Sequence, residues 1–106
     1  MRAVIQRVKS ARCTVNGAVT GEIGVGLLVF VGVGIEDTER DIAKCAEKLA
    51  GLRVFEDEKA KMSRSAADVG GGLLVISNFT LYGSVRHGRR PEFLTAARPE
   101  KAKPYY

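Results

Sequence analysis

The sequence lacks several features that would place it in a specialised class of protein. No apolar run approaches the roughly 18 to 20 residues that a transmembrane helix needs, and the first residues contain no signal-peptide core. There are only two cysteines, Cys13 and Cys45, far apart in the chain, and we interpret both as small buried hydrophobic residues. No cluster of metal-ligating residues accompanies them. We therefore expect a cytoplasmic protein with no membrane partner and no metal.

Familiar patterns of cofactor binding and catalysis are also missing. The glycines at 21–34 are not followed by Gly-Lys-Ser/Thr and do not have dinucleotide-binding spacing, so we interpret them as turns and expect no cofactor. A Ser-His-Asp triad of Ser77, His87 and Asp68 can be written down, but His87 lies among arginines that disfavour its protonated form. The acidic residues cluster away from the polar stretch around Ser77, so paired carboxylates for acid/base chemistry are absent there.

The positive charge of the chain is concentrated near its carboxyl end. The net charge is +5, and the chain from residue 86 onward holds six basic residues against two acidic ones, whereas residues 1–85 hold eleven against ten. Arginines bind phosphates bidentately, so this cluster favours a polyanionic ligand. A solubilising, solvated loop is the alternative. The arginines of the predicted loop are Arg86, Arg89 and Arg90.

The most informative stretch runs over residues 70–83. Glycines are followed by four apolar residues at 73–76, which predict a buried strand, and then by the polar segment Ser-Asn-Phe-Thr-Leu-Tyr at 77–82. A buried strand holds the residues at its end rigidly, which is how a binding or catalytic site is often built. The alternative is a strand end whose hydroxyl groups bond only to water or to the backbone.

Periodicity along the rest of the chain predicts a strand-rich domain. Asn16-Gly17 is a strong hairpin signal between two strands, and the continuous apolar run 27–33 predicts a central strand covered on both faces. Apolar residues at helical spacing predict one amphipathic helix over roughly 38–52. The other predicted strands lie at 3–8, 11–15, 18–23 and 54–55, and the segment 83–91 is predicted to be an exposed basic loop.

The carboxyl end looks unfinished. Pro99 is typical of a helix first turn, but the sequence stops at Tyr105-Tyr106 without a capping signal. We expect either that the chain is truncated at its carboxyl end or that a partner subunit covers these aromatic residues. The predicted fold is therefore a single α/β domain over 1–106, with a mixed, largely antiparallel sheet core, one long helix and a second, truncated helix.

Several segments spread over the whole chain resemble the D-aminoacyl-tRNA deacylase family. These segments are MRAVIQRV at 1–8, GLLV at 26–29, LRVFED at 52–57, KM at 61–62, SNFTLYG at 77–83 and HGRRPEF at 87–93. The resemblance implies a layered α/β/β fold and a cytoplasmic homodimer. It also implies a hydrolase that removes a D-amino acid, or glycine, from the terminal adenosine of tRNA as a proofreading step in translation quality control.

The resemblance also implies roles for particular residues. The Ser-Gln-Phe-Thr-Leu signature of the family corresponds to residues 77–81 here and forms one wall of the pocket for the terminal adenosine and the aminoacyl ester. The implied catalytic positions are Ser77, Phe79 and Thr80, with backbone groups and the hydroxyl of the RNA doing the chemistry rather than a side-chain nucleophile. The implied substrate-binding residues are Asn78, Leu81 and Arg7, with Arg7 supporting the pocket.

Two departures from the family pattern bear on activity. Asn78 stands where the family usually has Gln, which keeps the amide but shortens its reach. The family also uses a Gly-Pro pair to reject L-amino acids, whereas Pro91, Pro99 and Pro104 each follow Arg or Lys. Two alternatives to an active deacylase therefore stay open, a non-catalytic tRNA-binding module and a structural fragment that only forms a dimer.

Overall fold

The computed structural model describes residues 1–106 and contains seven strands, two α-helices and one 3-10 turn. The strands are β1 (Arg2–Val8), β2 (Ala11–Val15), β3 (Ala18–Ile23), β4 (Gly26–Gly32), β5 (Phe55–Glu56), β6 (Met62–Arg64) and β7 (Gly72–Ser77). The helices are α1 (Glu39–Gly51) and α2 (Pro99–Tyr105), and the 3-10 turn is Phe79–Tyr82. This mixture of strands and helices confirms the predicted fold class.

β4 is the centre of a three-stranded sheet because it has hydrogen-bonded neighbours on both sides. It pairs antiparallel with β1, where Ala3 lies opposite Val31, and parallel with β7, where Leu27 lies opposite Leu73. A strand with two neighbours and two covered faces is expected to be almost continuously apolar. β4 has this character, and its Leu27 and Val29 are completely buried.

Helix α1 covers the face of the sheet that carries Leu27, Val29 and Val31. Side chains alternate along a strand, so these three residues point to the same side, where they form a core cluster that includes Leu49 of α1 and Phe55 of β5. Full burial of a side chain of this size stabilises the fold by about 1.5–3 kcal/mol. The helix is thus held on the sheet by its apolar stripe.

The β2–β3 hairpin covers the opposite face of the sheet beside β7. A Cβ atom on Gly21 would lie 2.7 Å from Leu74, and one on Gly72 would lie 2.9 Å from Ile23, so the two layers are in close contact. The order of layers is therefore helix, sheet, hairpin, in agreement with the α/β/β arrangement that the resemblance implies.

The hairpin signal in the sequence is confirmed, and α1 begins with a capping arrangement at Thr38. Asn16 and Gly17 have φ values of 51° and 81°, which both central positions of a type I′ turn require. Thr38 precedes α1, and its N–H donates to the Asp41 carboxylate at 2.8 Å. Hydrogen bonds from Thr38 hold the pKa of the Asp41 carboxyl below its usual value. This is the capping arrangement that satisfies free N–H groups at a helix start.

Two predictions about burial are wrong. Residues 73–76 were expected to form a buried strand, but β7 is an edge strand in which Leu74 is buried and Leu73 is 42% exposed. The reason is that α1 lies mainly over the neighbouring strand β4 and leaves an apolar groove above β7. Cys13 and Cys45 are free thiols and are half-buried rather than fully buried.

The last residues lie against this edge of the sheet. Tyr105 and Tyr106 border the apolar groove, and the Tyr106 hydroxyl donates to the carbonyl oxygen of Val75 at 2.6 Å. The side chain of Tyr106 thus takes one hydrogen-bonding position on the open edge of β7. Neither α1 nor α2 has the length and apolar character that a membrane-crossing helix needs.

Candidate functional site

The polar segment after β7 is attached to the centre of the sheet by one hydrogen bond. The N–H of Asn78 donates to the carbonyl oxygen of Val31 at 2.7 Å, after which the chain leaves the sheet and enters the 3-10 turn. The N–H groups of Phe79 and Thr80 therefore lie outside the sheet pairing. The central strand β4 holds the segment at its start, and the turn projects from the end of the sheet.

The side chain of Asn78 closes the turn onto Thr80. Its Oδ1 accepts the backbone N–H of Thr80 at 3.0 Å and also the Thr80 hydroxyl, so both donors of Thr80 point at the same oxygen. An amide oxygen cannot remove a proton, and the Thr80 hydroxyl is therefore not activated as a nucleophile. By contrast, the N–H of Phe79 donates no hydrogen bond within the chain, and Ser77 is exposed. These two groups are the ones left available to a ligand.

The ring of Phe79 is exposed at the start of the turn. It is 56% exposed and meets Phe93 edge to face, with ring centroids 5.2 Å apart and an angle of 73° between the planes. This geometry is a favourable one for two aromatic rings. Phe93 was not among the predicted site residues, although it ends the HGRRPEF segment.

Arg2 supports the turn from β1. Its guanidinium group donates to the carbonyl oxygen of Leu81 at 2.9 Å and lies 4.5 Å from the centroid of the Tyr82 ring. Cation–π contact and a charge-assisted hydrogen bond act together on neighbouring residues, which restricts the far end of the turn. Nothing in the local sequence pattern connects Arg2 with residues eighty positions away.

Asp37 joins this support from the loop before α1. Its carboxylate accepts the N–H of Gly34 at 2.7 Å, pairs with the ammonium group of Met1 and receives the Tyr82 hydroxyl at 3.5 Å. Burial raises the pKa of Asp37, but the hydrogen bonds from the ammonium group and Gly34 outweigh it, so the pKa lies below its usual value. Burial, and then the charge of Asp37, raise the pKa of the Tyr82 hydroxyl. Tyr82 therefore stays protonated at neutral pH.

Arg7 lies away from the 3-10 turn within the chain. It is opposite Leu27 near the other end of β1, and its guanidinium group donates to the carbonyl oxygen of Val54 at 2.8 Å. Since Asn78 bonds to Val31 at the opposite end of β4, Arg7 and Asn78 do not meet within the chain. Support of the pocket by Arg7 stays a prediction.

The basic loop predicted over 83–91 is exposed throughout 85–91. Reciprocal backbone hydrogen bonds of 2.9 Å between Ser84 and Glu92 close its base. Arg86, Arg89 and Arg90 are all exposed, and none of them forms an ion pair within the chain. Their charges are therefore free to meet an anionic ligand. No group of three or more His, Cys, Asp and Glu side chains is placed to hold a metal ion.

Comparison with known proteins gives one consistent family. Residues 4–106 match the family model described as D-Tyr-tRNA(Tyr) deacylase. The chain is 58% identical over its whole length to the D-aminoacyl-tRNA deacylase of Thermus aquaticus and spans 70% of that protein. Among solved structures, it superposes on the c-Myc DNA Unwinding Element Binding Protein with a TM-score of 0.93 and 40% identity, covering all of this chain and 71% of the other.

A second solved structure shares the fold at much lower sequence similarity. It is titled as a structural analysis of a probable eukaryotic D-amino acid tRNA deacylase, and the TM-score is 0.80 at 16% identity. The alignment covers 98% of this chain and 61% of that protein. At this identity the likeness shows that the fold is shared.

Proposed function

Because the chain belongs to the D-Tyr-tRNA(Tyr) deacylase family, we propose that these 106 residues hydrolyse the ester that joins a D-amino acid, or glycine, to the terminal adenosine of tRNA. The observation that carries the proposal is the 3-10 turn at the end of β7, whose Phe79 N–H is unpaired and whose Phe79 ring is exposed. The carbonyl of the ester needs a hydrogen-bond donor such as the N–H of Phe79. The adenine ring needs an apolar surface such as the ring of Phe79. The reaction belongs to translation proofreading in the cytoplasm.

The proposed chemistry is attack by water on the ester carbonyl. The water oxygen bonds to the carbonyl carbon as the carbonyl oxygen becomes an oxyanion, which accepts a hydrogen bond from the N–H of Phe79. The oxyanion then re-forms the carbonyl as the bond to the ribose oxygen breaks, and the proton lost by the water passes to this ribose oxygen. Neither Ser77 nor Thr80 has a side-chain base beside it, so neither hydroxyl group attacks the ester. The exposed Ser77 hydroxyl orients the ester, whereas the Thr80 hydroxyl is held by Asn78. A hydroxyl group of the terminal ribose is the remaining candidate for relaying the proton.

The rest of the tRNA is proposed to contact the basic loop. Arg86, Arg89 and Arg90 are exposed and have no acidic partner, so phosphates can bind them without first breaking an ion pair. Phosphate contacts of this type supply affinity without sequence preference. The loop follows the 3-10 turn directly in the chain, which keeps it close to the proposed ester site.

We propose that the active form is a homodimer. The sheet face opposite α1 exposes Val4 to 53%, and Val4 is paired across β1 and β4 with the half-buried Phe30. Exposed apolar side chains side by side on a sheet favour a protein partner. A second copy of the same face would cover both residues.

The proposal is tested by incubating the chain with D-tyrosyl-tRNA and with L-tyrosyl-tRNA and following release of tyrosine. Release from the D form alone supports a stereospecific deacylase, and release from both forms supports an ester hydrolase that does not select chirality. The second outcome is relevant because the sequence has no Gly-Pro pair.

Two other outcomes of the same experiment would contradict hydrolysis. Binding of tRNA without release of tyrosine would support the alternative of a non-catalytic RNA-binding module, which the exposed arginines favour. If the chain neither binds tRNA nor releases tyrosine, the result would support a dimer-forming remnant. A Phe79→Pro variant prepared in parallel controls for contaminating deacylases, because their activity would persist in both preparations.

A further inference from the structure

A hollow in the surface lies beside the candidate site, and no residue of the 3-10 turn lines it. Its volume is about 610 Å³, which falls within the range of about 300–1,000 Å³ for small-molecule sites. Five of its seven lining residues are hydrophobic. The lining residues are Ile35, Phe93, Leu94, Ala96, Ala97, Arg98 and Lys101.

The wall of this hollow is held in place by backbone hydrogen bonds between distant segments. The N–H of Ile35 donates to the carbonyl oxygen of Thr95 at 3.0 Å, and the N–H of Ala97 donates to that of Val33 at 2.8 Å. Lys101 of α2 also donates to the carbonyl oxygen of Ile35. The hollow is thus a built part of the fold rather than a space between loose loops.

Large apolar side chains of the hollow are exposed. Leu94 is 74% exposed and Ile35 is 53% exposed, although both belong to backbone segments that are firmly hydrogen-bonded. Leaving such side chains in water lowers stability without any gain within the chain. A flat apolar ligand that packs against both would remove them from water.

Cationic groups stand at the edge of this apolar surface. Arg98 is exposed and forms no ion pair or side-chain hydrogen bond within the chain. Lys101 is already engaged, because it bonds to Ile35 and its charge acts on Asp37. Arg98 is therefore the cation that is free to take a phosphate.

The hollow adjoins the candidate site at the pair of phenylalanines. Phe93 lines the hollow and touches Phe79, which begins the 3-10 turn, at a centroid distance of 5.2 Å. An apolar platform with an adjoining cation is the arrangement that binds a base and its phosphate in single-stranded nucleic acid. Consecutive nucleotides of one strand would fit two adjacent sites of this kind.

We propose that this hollow binds the nucleotide that precedes the terminal adenosine of the substrate RNA, with the base against Leu94 and Ile35 and its linking phosphate on Arg98. The proposal rests on the proposed function, since it takes the 3-10 turn to hold the terminal adenosine. It predicts that the chain recognises two nucleotides of the single-stranded end. A terminal nucleoside alone would leave the hollow empty.

The test compares binding of two probes that carry no amino acid, adenosine and the dinucleotide cytidylyl-adenosine, which differ by one nucleotide and its phosphate. We expect the dinucleotide to bind about tenfold more tightly, as loss of one stacked base and one phosphate contact implies. Arg98→Gln and Leu94→Ser should each remove most of this advantage and leave adenosine binding unchanged. Lys103→Gln is the matched control, because Lys103 is an exposed cation on α2 that does not line the hollow.

The proposal is overturned if the two probes bind equally, if neither binds, or if Arg98→Gln and Lys103→Gln weaken dinucleotide binding by the same factor. A loss of adenosine binding in the Leu94→Ser variant would also overturn it, since that would indicate a change in the site itself. Failure of the proposed function gives a different result. In that case the dinucleotide keeps its Arg98-dependent advantage, but D-tyrosyl-tRNA is not hydrolysed.

Discussion

At the scale of single residues, the candidate site depends on which backbone N–H groups are already paired. Asn78 uses both donors of Thr80, whereas the N–H of Phe79 has no partner within the chain. A free N–H at a fixed position is the group that stabilises an oxyanion without reorganisation. Phe79 therefore contributes through its backbone as well as through its ring.

Replacement of Phe79 separates these two contributions. Phe79→Pro removes the N–H and the ring, while Phe79→Ala removes the ring alone. Proline suits the first position of a 3-10 turn, and the extended Asn78 that precedes it is compatible with a following proline. We expect kcat for D-tyrosyl-tRNA to fall about 100-fold further in the proline variant than in the alanine variant. Equal kcat values in the two variants would show that the N–H takes no part in the reaction.

Asp37 is expected to make the stability of the protein depend on acid pH. The pKa of Asp37 is lower in the folded protein than its ordinary value of 3.8. The ionised carboxylate therefore stabilises the folded protein fully at pH values above 3.8. This stabilisation is lost as the pH falls through the pKa of Asp37 in the folded protein. Asp37→Asn should lower the free energy of unfolding by about 2 kcal/mol at neutral pH, because the carboxylate bonds to a partly buried ammonium group. Urea unfolding of both proteins should show this difference shrinking in acid.

Comparison with Glu36→Gln provides the control for Asp37. Glu36 is the exposed neighbour of Asp37 and has no hydrogen-bond partner, so its replacement should leave the free energy of unfolding nearly unchanged. The exposed carboxyl groups of Asp41, Glu58 and Asp68 also have lowered pKa values, and wild-type and variant proteins should both lose stability in acid. A difference between wild type and Asp37→Asn that stays constant with pH would argue against the ion pair.

At the scale of elements, strand contacts decide where the site can be. β4 and β7 approach so closely at one point that a Cβ on Gly26 would lie 2.0 Å from the carbonyl oxygen of Gly72. At the other end of these two strands, the N–H of Asn78 still donates to the carbonyl oxygen of Val31. The 3-10 turn begins directly after this hydrogen bond. The parallel register of these two strands therefore sets the position of the turn.

The basic loop is the element whose role is easiest to measure. Replacing Arg86, Arg89 and Arg90 together by Ala should weaken tRNA binding and make it less dependent on salt. The slope of the logarithm of the binding constant against the logarithm of salt concentration should become shallower by about 0.7–0.9 for each lost phosphate contact. Dissociation constants for uncharged tRNA over a series of salt concentrations give this slope. The matched control is the triple alanine variant of Lys44, Lys48 and Arg53, which removes the same charge from α1 and the segment after it. Equal flattening in both variants would mean that the loop makes no special contact.

At the scale of the whole molecule, the chain leaves much apolar surface in water. Only 13 of its 106 residues are buried, and exposed large hydrophobic residues occur on β1, on β7 and in the segments around the site. A small domain with so little buried surface gains stability from association. The apolar surface on β1 is the one that a second copy is proposed to cover.

The homodimer is tested by sedimentation equilibrium. The expected mass is twice the 11.4 kDa of the chain, and Val4→Asp should shift the protein toward the monomer, because a charge would be buried against an apolar face. Val85→Asp is the control, since Val85 is similarly exposed but lies in the basic loop. A monomeric wild type at micromolar concentration would remove the basis for this interface.

The sequence by itself determined the features that depend on neighbours in the chain. The hairpin turn at Asn16-Gly17, the central strand, the helix over roughly 38–52 and the exposed basic loop were all predicted, because backbone preferences and apolar periodicity act over a few residues. In each case the information lies within one continuous segment. The resemblance to the family rests on six such segments spread over the chain, each of which can be read without knowing the fold.

Only the tertiary structure decided which distant groups meet. The contact of Phe79 with Phe93, the support of the turn by Arg2 and Asp37, the separation of Arg7 from Asn78 and the edge position of β7 all depend on strand order and on the placement of α1. These contacts join residues up to about eighty positions apart, and no periodic pattern records such pairings. The geometry of the site therefore follows from packing, while its composition can be read from the chain.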